Sequence, residues 1–166
     1  MLKRAFLAFA ALAVGAAAGA VLHAALAKGD TVFSSKRPAY LGVTDGRLAR
    51  CKRTPNCVSS QADPADAEHF IAPIAFRGGS VEAMEAVRAA LGQMERCTVL
   101  RHEENYLYAE FRSKLMGYVD DVEFVHDPVA GVIHVRSASR LGRRDFGVNR
   151  KRVEAVRARI ERRAVA

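Results

Sequence analysis

The 166-residue chain carries 26 Lys and Arg against 18 Asp and Glu, a formal net charge of +8, with half its residues hydrophobic, 7% aromatic and no Trp. That length holds one domain, which excludes a multidomain enzyme and equally a peptide that needs staples to fold. The mean hydropathy of −0.04 averages two unlike parts, an apolar leader and a strongly charged remainder.

Lys3 and Arg4 precede Ala5 to Ala27, a run whose only basic or acidic side chain is His23. The run reads as an export signal in one of two forms. About 20 apolar residues span a bilayer, whereas the apolar part of a cleaved signal runs to about 7–15, so length favours a retained single span. The small residues Ala25 and Ala27 point instead to cleavage after Ala27. In both forms Lys3 and Arg4 stay in the cytoplasm. The domain is expected in the periplasm, tethered to the inner membrane through residues 1–27 or secreted. Gly15 and Gly19 form a GxxxG pair, which can pack two spans, in a segment rich enough in Ala and Gly to produce one by chance.

Residues 28–37 read as a linker and residues 38–166 as a single α+β domain. Its first part, to about Phe70, is irregular, with Pro38, Pro55 and Pro64, and is anchored by Tyr40, Leu41, Val43, Leu48, Cys51, Cys57 and Val58. A 40-residue stretch of this kind is uncommon unless it has a function. Ser80 is expected to cap a helix whose apolar residues Val81, Met84, Val87 and Leu91 share one face. After Gly92 the period becomes alternating, with strands expected over Cys97–His102, Tyr106–Arg112, Tyr118–His126 and Val132–Ser137. Their short polar connections make consecutive strands antiparallel neighbours. Val153, Val156 and Ile160 then stand at helical spacing among many Arg. The expectation is a four-stranded antiparallel meander with two helices on one face.

Alternation divides the sheet into two faces. Leu107, Ala109, Phe111, Val122, Phe124, Ile133 and Val135 should face the helices, and Tyr106, Tyr108, Glu110, Arg112, Asp121, Glu123, His134 and Arg136 the other side. An unbulged last hairpin with its apolar residues in register sets Val122 opposite Val135 and Phe124 opposite Ile133. Asp121 then faces Arg136, and Glu123 faces His134. Two readings follow: an open face of cross-strand charge pairs, or a polar pocket covered by the stretch before Phe70. After the last strand, Arg136, Ser137, Ser139 and Arg140 supply guanidinium forks and hydroxyls. Asp145 and Asn149 stand where the last helix starts, either as anion-site residues or as its cap.

Catalytic arrangements are thinner. Of Asp120, Asp121 and Glu123, only Asp121 and Glu123 can converge, so no metal site and no cofactor is expected. Ser137 or Ser139 with His134 lacks a nucleophile elbow and an orienting acid. Outside the cytoplasm Cys51 and Cys57 can close a short-loop disulfide, their spacing being long for a zinc pair. Cys97 reads as a buried apolar residue.

Four motifs occur in order: Arg37-Pro38-Ala39-Tyr40-Leu41-Gly42-Val43; Leu48 to Cys51 with Pro55 to Gln61; Asp120-Asp121-Val122-Glu123-Phe124; and Val135 to Arg140 with Gly147 to Arg152. Over about Pro38 to Arg159 the chain resembles the bacterial and plastid family catalogued as domain of unknown function 1499. The resemblance implies an exported or membrane-linked setting and brings no activity or cofactor with it. It marks the Cys51 to Gln61 segment, the Asp121 and Glu123 strand and the Arg136 to Arg140 turn as signature. Arg143-Arg144 stands where many relatives are expected to have an aromatic residue.

The sequence thus points to a non-enzymatic module binding an anionic small molecule, lipid head group or envelope partner through Arg112, Arg136 and Arg140. Asp121, Glu123, Ser137, Ser139 and Asn149 complete that candidate site. Nucleic acid is not an expected partner, because the domain lies outside the cytoplasm. The rivals are a hydrolase or metal-assisted enzyme using Asp121, Glu123 and Ser137 or Ser139, and a purely structural envelope protein.

Overall fold

The computed structural model describes residues 35–165, so the expected leader lies outside the described residues. Among the described residues no helix is long and apolar enough to cross a membrane. The elements are β1 (Cys57–Ser59), β2 (Ile74–Ala75), α1 (Ser80–Leu91), β3 (Cys97–His102), β4 (Tyr106–Arg112), β5 (Val119–Asp127), β6 (Val132–Ser139) and α2 (Val148–Val165). They form an antiparallel sheet in the order β1-β6-β5-β4-β3, with β2 also paired to β6.

The architecture is α+β, and the meander from β3 to β6 is the expected one. The sheet has six strands rather than four, because the irregular stretch supplies β1 and β2. These run to three and two residues, too short to show an alternating period. They pair with opposite ends of the outer edge of β6. Between them Ser60 continues the ladder: its N–H donates to the Val135 carbonyl and its hydroxyl accepts the Val135 N–H, both at 2.9 Å. The edge of β6 is therefore hydrogen-bonded along its length, as buried backbone must be.

Both helices contribute to the core on one face of the sheet. Met84, Val87 and Leu91 of α1 and Val153, Val156 and Ile160 of α2 are buried with Leu107, Phe124, Ile133 and Val135. Val81 belongs to the expected apolar stripe but is 59% exposed. Ser80 is the first residue of α1 rather than its cap: Gly79 holds the N-cap position and donates its N–H to the Glu82 carboxylate. The Ser80 hydroxyl instead meets His126 Nδ1 at 3.1 Å.

Strand parity is as expected, but the β5–β6 register is shifted by two residues. Val122 faces Ser137, Phe124 faces Val135, Glu123 faces Arg136, and Asp121 faces Ala138. The turn causes the shift. Asp127 Oδ1 accepts the N–H groups of both Val129 and Ala130 at 3.0 Å, and Gly131 takes a φ of +65°. This stabilises a four-residue loop between Asp127 and Val132, and the loop overrides the alignment that matched apolar pairs. At the opposite margin, β3 slips against β4 between Val99 and Arg101.

The other face is covered by the segment that begins at Ser35. Asp45 and Gly46, with φ of 51° and 72°, form a tight turn whose ends exchange hydrogen bonds between Thr44 and Arg47. Gln61 clamps it, accepting the Leu48 N–H at 2.8 Å and donating to the Gly46 carbonyl at 3.2 Å. Leu48 thereby packs with Tyr106, Tyr108 and Val125 in a second small apolar cluster. A disulfide joins Cys51 to Cys57, tying the covering segment to β1. Replacing both cysteines by Ala should lower the unfolding free energy by about 2 kcal/mol, the chain-entropy expectation for so short a loop. Urea denaturation followed by far-ultraviolet circular dichroism checks this, and the folded spectrum should be unchanged.

Candidate functional site

Alternation along β4, β5 and β6 places Tyr106, Tyr108, Glu110, Asp121, Glu123 and Arg136 on the covered face. Glu110, Asp121, Glu123 and Arg136 are at most 5% exposed, so their charges are out of water and must be answered locally. Arg140, just beyond β6, answers two of them. Its Nε lies 3.0 and 3.1 Å from the Asp121 oxygens, and its Nη2 reaches both Asp121 Oδ1 at 2.7 Å and Glu110. Arg37, from the covering segment, adds a second cation on Glu110 at 2.8 Å. Arg136 pairs with Glu123 at 3.1 Å and lies under the Tyr40 ring. The Gly42 N–H and the Tyr106 hydroxyl also donate to Glu123, at 2.7 and 2.9 Å. Three carboxylates thus meet three guanidinium groups at hydrogen-bond distance.

The network shifts proton affinities in consistent directions. Burial works to raise the Glu110 pKa, but hydrogen bonds from Arg140, Arg37 and Tyr108 outweigh it and hold the carboxyl below its ordinary value. Burial likewise opposes the Arg140 charge, and its bonds to Asp121 and Glu110 more than restore it. The Tyr106 and Tyr108 phenols are pushed well above their usual range by burial and the adjacent carboxylates.

The expected site residues are divided between the two faces. Arg112, Asp121, Glu123, Arg136 and Arg140 gather on the covered side, Arg112 at its margin, 3.7 Å from Glu110. Ser137, Ser139 and Asn149 belong to the helix side. There the Ser137 hydroxyl donates to Asn149 Oδ1 at 2.6 Å, and Asn149 Nδ2 reaches Ser139 Oγ and the Asn56 carbonyl, both at 3.0 Å. Arg152 completes this cluster, bridging Asn149 to Asp120 at 2.6 Å. Asp145, not Asn149, caps α2, accepting the Gly147 and Asn149 N–H groups at 3.0 and 2.8 Å. The rival enzyme reading needs Asp121 and Glu123 to converge with Ser137 or Ser139; the period of two points them to opposite sides of the sheet. His134 faces Ser60 at 3.1 Å rather than Glu123, and burial lowers its pKa. Among the described residues no group of three or more His, Cys, Asp and Glu is placed to hold a metal ion.

Sequence reasoning places Arg37, Asn56, Gln61 and Arg152 in motifs but gives them no partner, and it does not identify Tyr108 as a donor. Arg37 and Arg152 join partners 73 and 32 residues away, and no local period reports such pairings. It also missed a groove of about 530 Å³ beside the disulfide. Arg47, Arg50, Lys52 and Arg53 line it, with Asp63, Asp66 and His69. Arg47 donates to the Gln61 carbonyl at 3.0 Å and Asp66 pairs with His69 at 2.8 Å. Among the described residues Arg50, Lys52 and Arg53 form no ion pair. Cys97 is half-buried, and burial pushes its thiol up to about 11.

Arg140→Ala should destabilise the domain by about 3–5 kcal/mol, because it strands Asp121 and Glu110 without their buried cation. Acid should act on the same network with a definite sign. The depressed Glu110 pKa makes its contribution fully present above the ordinary value of 4.5. That contribution is lost as pH falls through the depressed value. Thermal unfolding followed from neutral pH downward, in wild type and Glu110→Gln, should show the wild type losing its advantage in that window.

No curated protein matches the chain. The family model described as a protein of unknown function, DUF1499, matches residues 47–160. That span takes in the disulfide, the Asp121 and Glu123 strand, the Arg136 to Arg140 turn and most of α2, and the chain belongs to this family.

Proposed function

We propose that the domain is a non-enzymatic accessory module of the cell envelope that binds an anionic group in the groove beside the disulfide. The observation that carries the proposal is the contrast between two sets of cations. Arg136 and Arg140 direct their guanidinium groups to the chain's own buried carboxylates, whereas Arg50, Lys52 and Arg53 line a groove and, among the described residues, pair with neither Asp63 nor Asp66 beside them. The ligand contact expected at Arg112, Arg136 and Arg140 is therefore assigned to Arg47, Arg50, Lys52 and Arg53. Guanidinium forks suit carboxylate or phosphate oxygens, and the groove has room for a head group or a small metabolite.

The setting is proposed from the export signal, which tethers the chain to the inner membrane through residues 1–27 and leaves the domain in the periplasm. The Cys51–Cys57 disulfide supports an oxidising compartment. A purely structural envelope role is the second reading, favoured by the completeness of the Arg140 network.

Native mass spectrometry of the full-length protein, extracted from membranes in detergent, distinguishes them. A retained anionic ligand should be lost in an Arg50→Ala, Lys52→Ala, Arg53→Ala variant that melts like wild type. Arg136→Ala should reduce stability instead, because it leaves Glu123 buried without its cation. A bare wild-type protein would favour the structural role.

A further inference from the structure

The two ends of the sheet differ in chemistry. The β3–β4 and β5–β6 turns share one end, which carries Glu103, Glu104 and Asp127, with Arg101 paired to Glu103. The β4–β5 loop and the loop after β6 share the other. The β4–β5 loop is closed at its base, where the Ser113 N–H donates to the Tyr118 carbonyl and the Tyr118 N–H to the Ser113 hydroxyl, both at 2.9 Å, and it leaves Lys114, Leu115 and Met116 exposed. Leu115 is 90% exposed. In the second loop Phe146 takes a φ of +54°, in the left-handed region that non-glycine residues seldom adopt. Asp145 fixes the turn by accepting the Gly147 and Asn149 N–H groups, and the Phe146 ring is left 90% exposed.

Leu141, Met116 and Val148 are also exposed beside them, and a cleft of about 520 Å³ separates the two loops. So many apolar side chains on two neighbouring loops mark an interaction surface. Its exposed charge is mainly positive. Lys114, Arg143 and Arg144 have no ion pair among the described residues. Of the carboxylates on this end, Asp145 holds its turn, Asp120 pairs with Arg152 and Glu95 with Arg96.

The course of the chain indicates what this surface meets. The Ser35 carbonyl accepts Arg140 Nη1 at 3.0 Å, so the described chain starts at this same end of the sheet. Residues 28–34, fully extended, reach at most about 25 Å. A span ending near Ala27 therefore keeps this end, with its cations and apolar tips, close to the bilayer. Exposed apolar residues flanked by Lys and Arg suit an anionic lipid surface, the rings and aliphatic tips entering the acyl boundary while the cations meet phosphates.

We infer that the Ser113–Tyr118 and Leu141–Val148 loops dock this end of the domain on an anionic phospholipid bilayer, with Leu115 and Phe146 inserted. The inference goes beyond the groove and rests on the proposed tether only for its orientation.

The absence of Trp from the chain allows a local test. Full-length Phe146→Trp and, as a reference at the far end, Val129→Trp are reconstituted in vesicles of equal parts phosphatidylglycerol and phosphatidylcholine. Both positions are at least 90% exposed, so neither substitution disturbs packing. Lipids brominated on their acyl chains should quench the Phe146→Trp indole several-fold more than the Val129→Trp indole. Adding Lys114→Glu, Arg143→Glu and Arg144→Glu should bring the two to the same level. A chain that floats with the vesicles but shows equal quenching at both positions overturns this inference and leaves the tether standing. So does an indole shielded from acrylamide but untouched by brominated lipid, which would mean contact with protein. A chain that does not float overturns both.

Discussion

The Arg140 guanidinium is where the parts of this domain meet. It spans Asp121 on β5 and Glu110 on β4, touches the Tyr108 hydroxyl, and holds the Ser35 carbonyl of the covering segment. A sheet face that buries three carboxylates is untenable without cations, because desolvating an unpaired charge costs more than a small domain's stability. The covering segment in turn has little apolar area to offer, chiefly Leu41 and Leu48 against two tyrosines and Val125. Charge therefore does here what a hydrophobic layer does on the helix side. Coulombic and hydrogen-bond matching demands particular atoms at particular places, so it positions a segment of irregular backbone more narrowly than greasy contact would.

The helix side repeats the device on a smaller scale. Arg152 links Asp120 of β5 to Asn149, and Asn149 links Ser137 and Ser139 of β6 to the Asn56 carbonyl ahead of β1. The buried polar side chains thus fall into two locks on opposite faces of one strand pair, joined at the disulfide-bearing segment. Asn56 shows the economy of this arrangement: its carbonyl serves Asn149 while its side chain donates to the Gly142 carbonyl at 2.7 Å.

What the sequence makes legible follows the range of the interaction involved. The division of Leu107, Ala109 and Phe111 from Tyr106, Tyr108 and Glu110 is a property of neighbours in one strand, and a period of two reveals it. The register of β6 depends on how Asp127 folds its turn, and matching apolar residues across the hairpin gives an answer two residues away from the one adopted. β1 and β2 are strands only because β6 offers them an edge, so nothing within three or two residues announces them. From sequence the covered polar face admits two readings, since the partners that decide it, Arg37 and Gly42, lie more than 70 residues from Glu110 and Glu123. Ser137 and Ser139 look like site residues in a run of Arg and Ser, and parity alone, once β6 is extended to Ser139, sends them to the other side.

The slip of β3 against β4 has a bearing on how the protein behaves in a crowded compartment. Among the described residues β3 is the one long strand with a free edge, and its own residues Thr98, Leu100, Arg101 and His102 are exposed. A straight free edge recruits strands from other chains. Here the irregularity at Leu100 breaks the repeat of donors and acceptors, and Arg101 and His102 place side chains that can carry charge beside the break. The opposite edge is already filled by β1, Ser60 and β2. Sheet-to-sheet polymerisation is thereby discouraged at both margins, so the sheet is closed to strands from neighbouring copies without a partner domain to cover it.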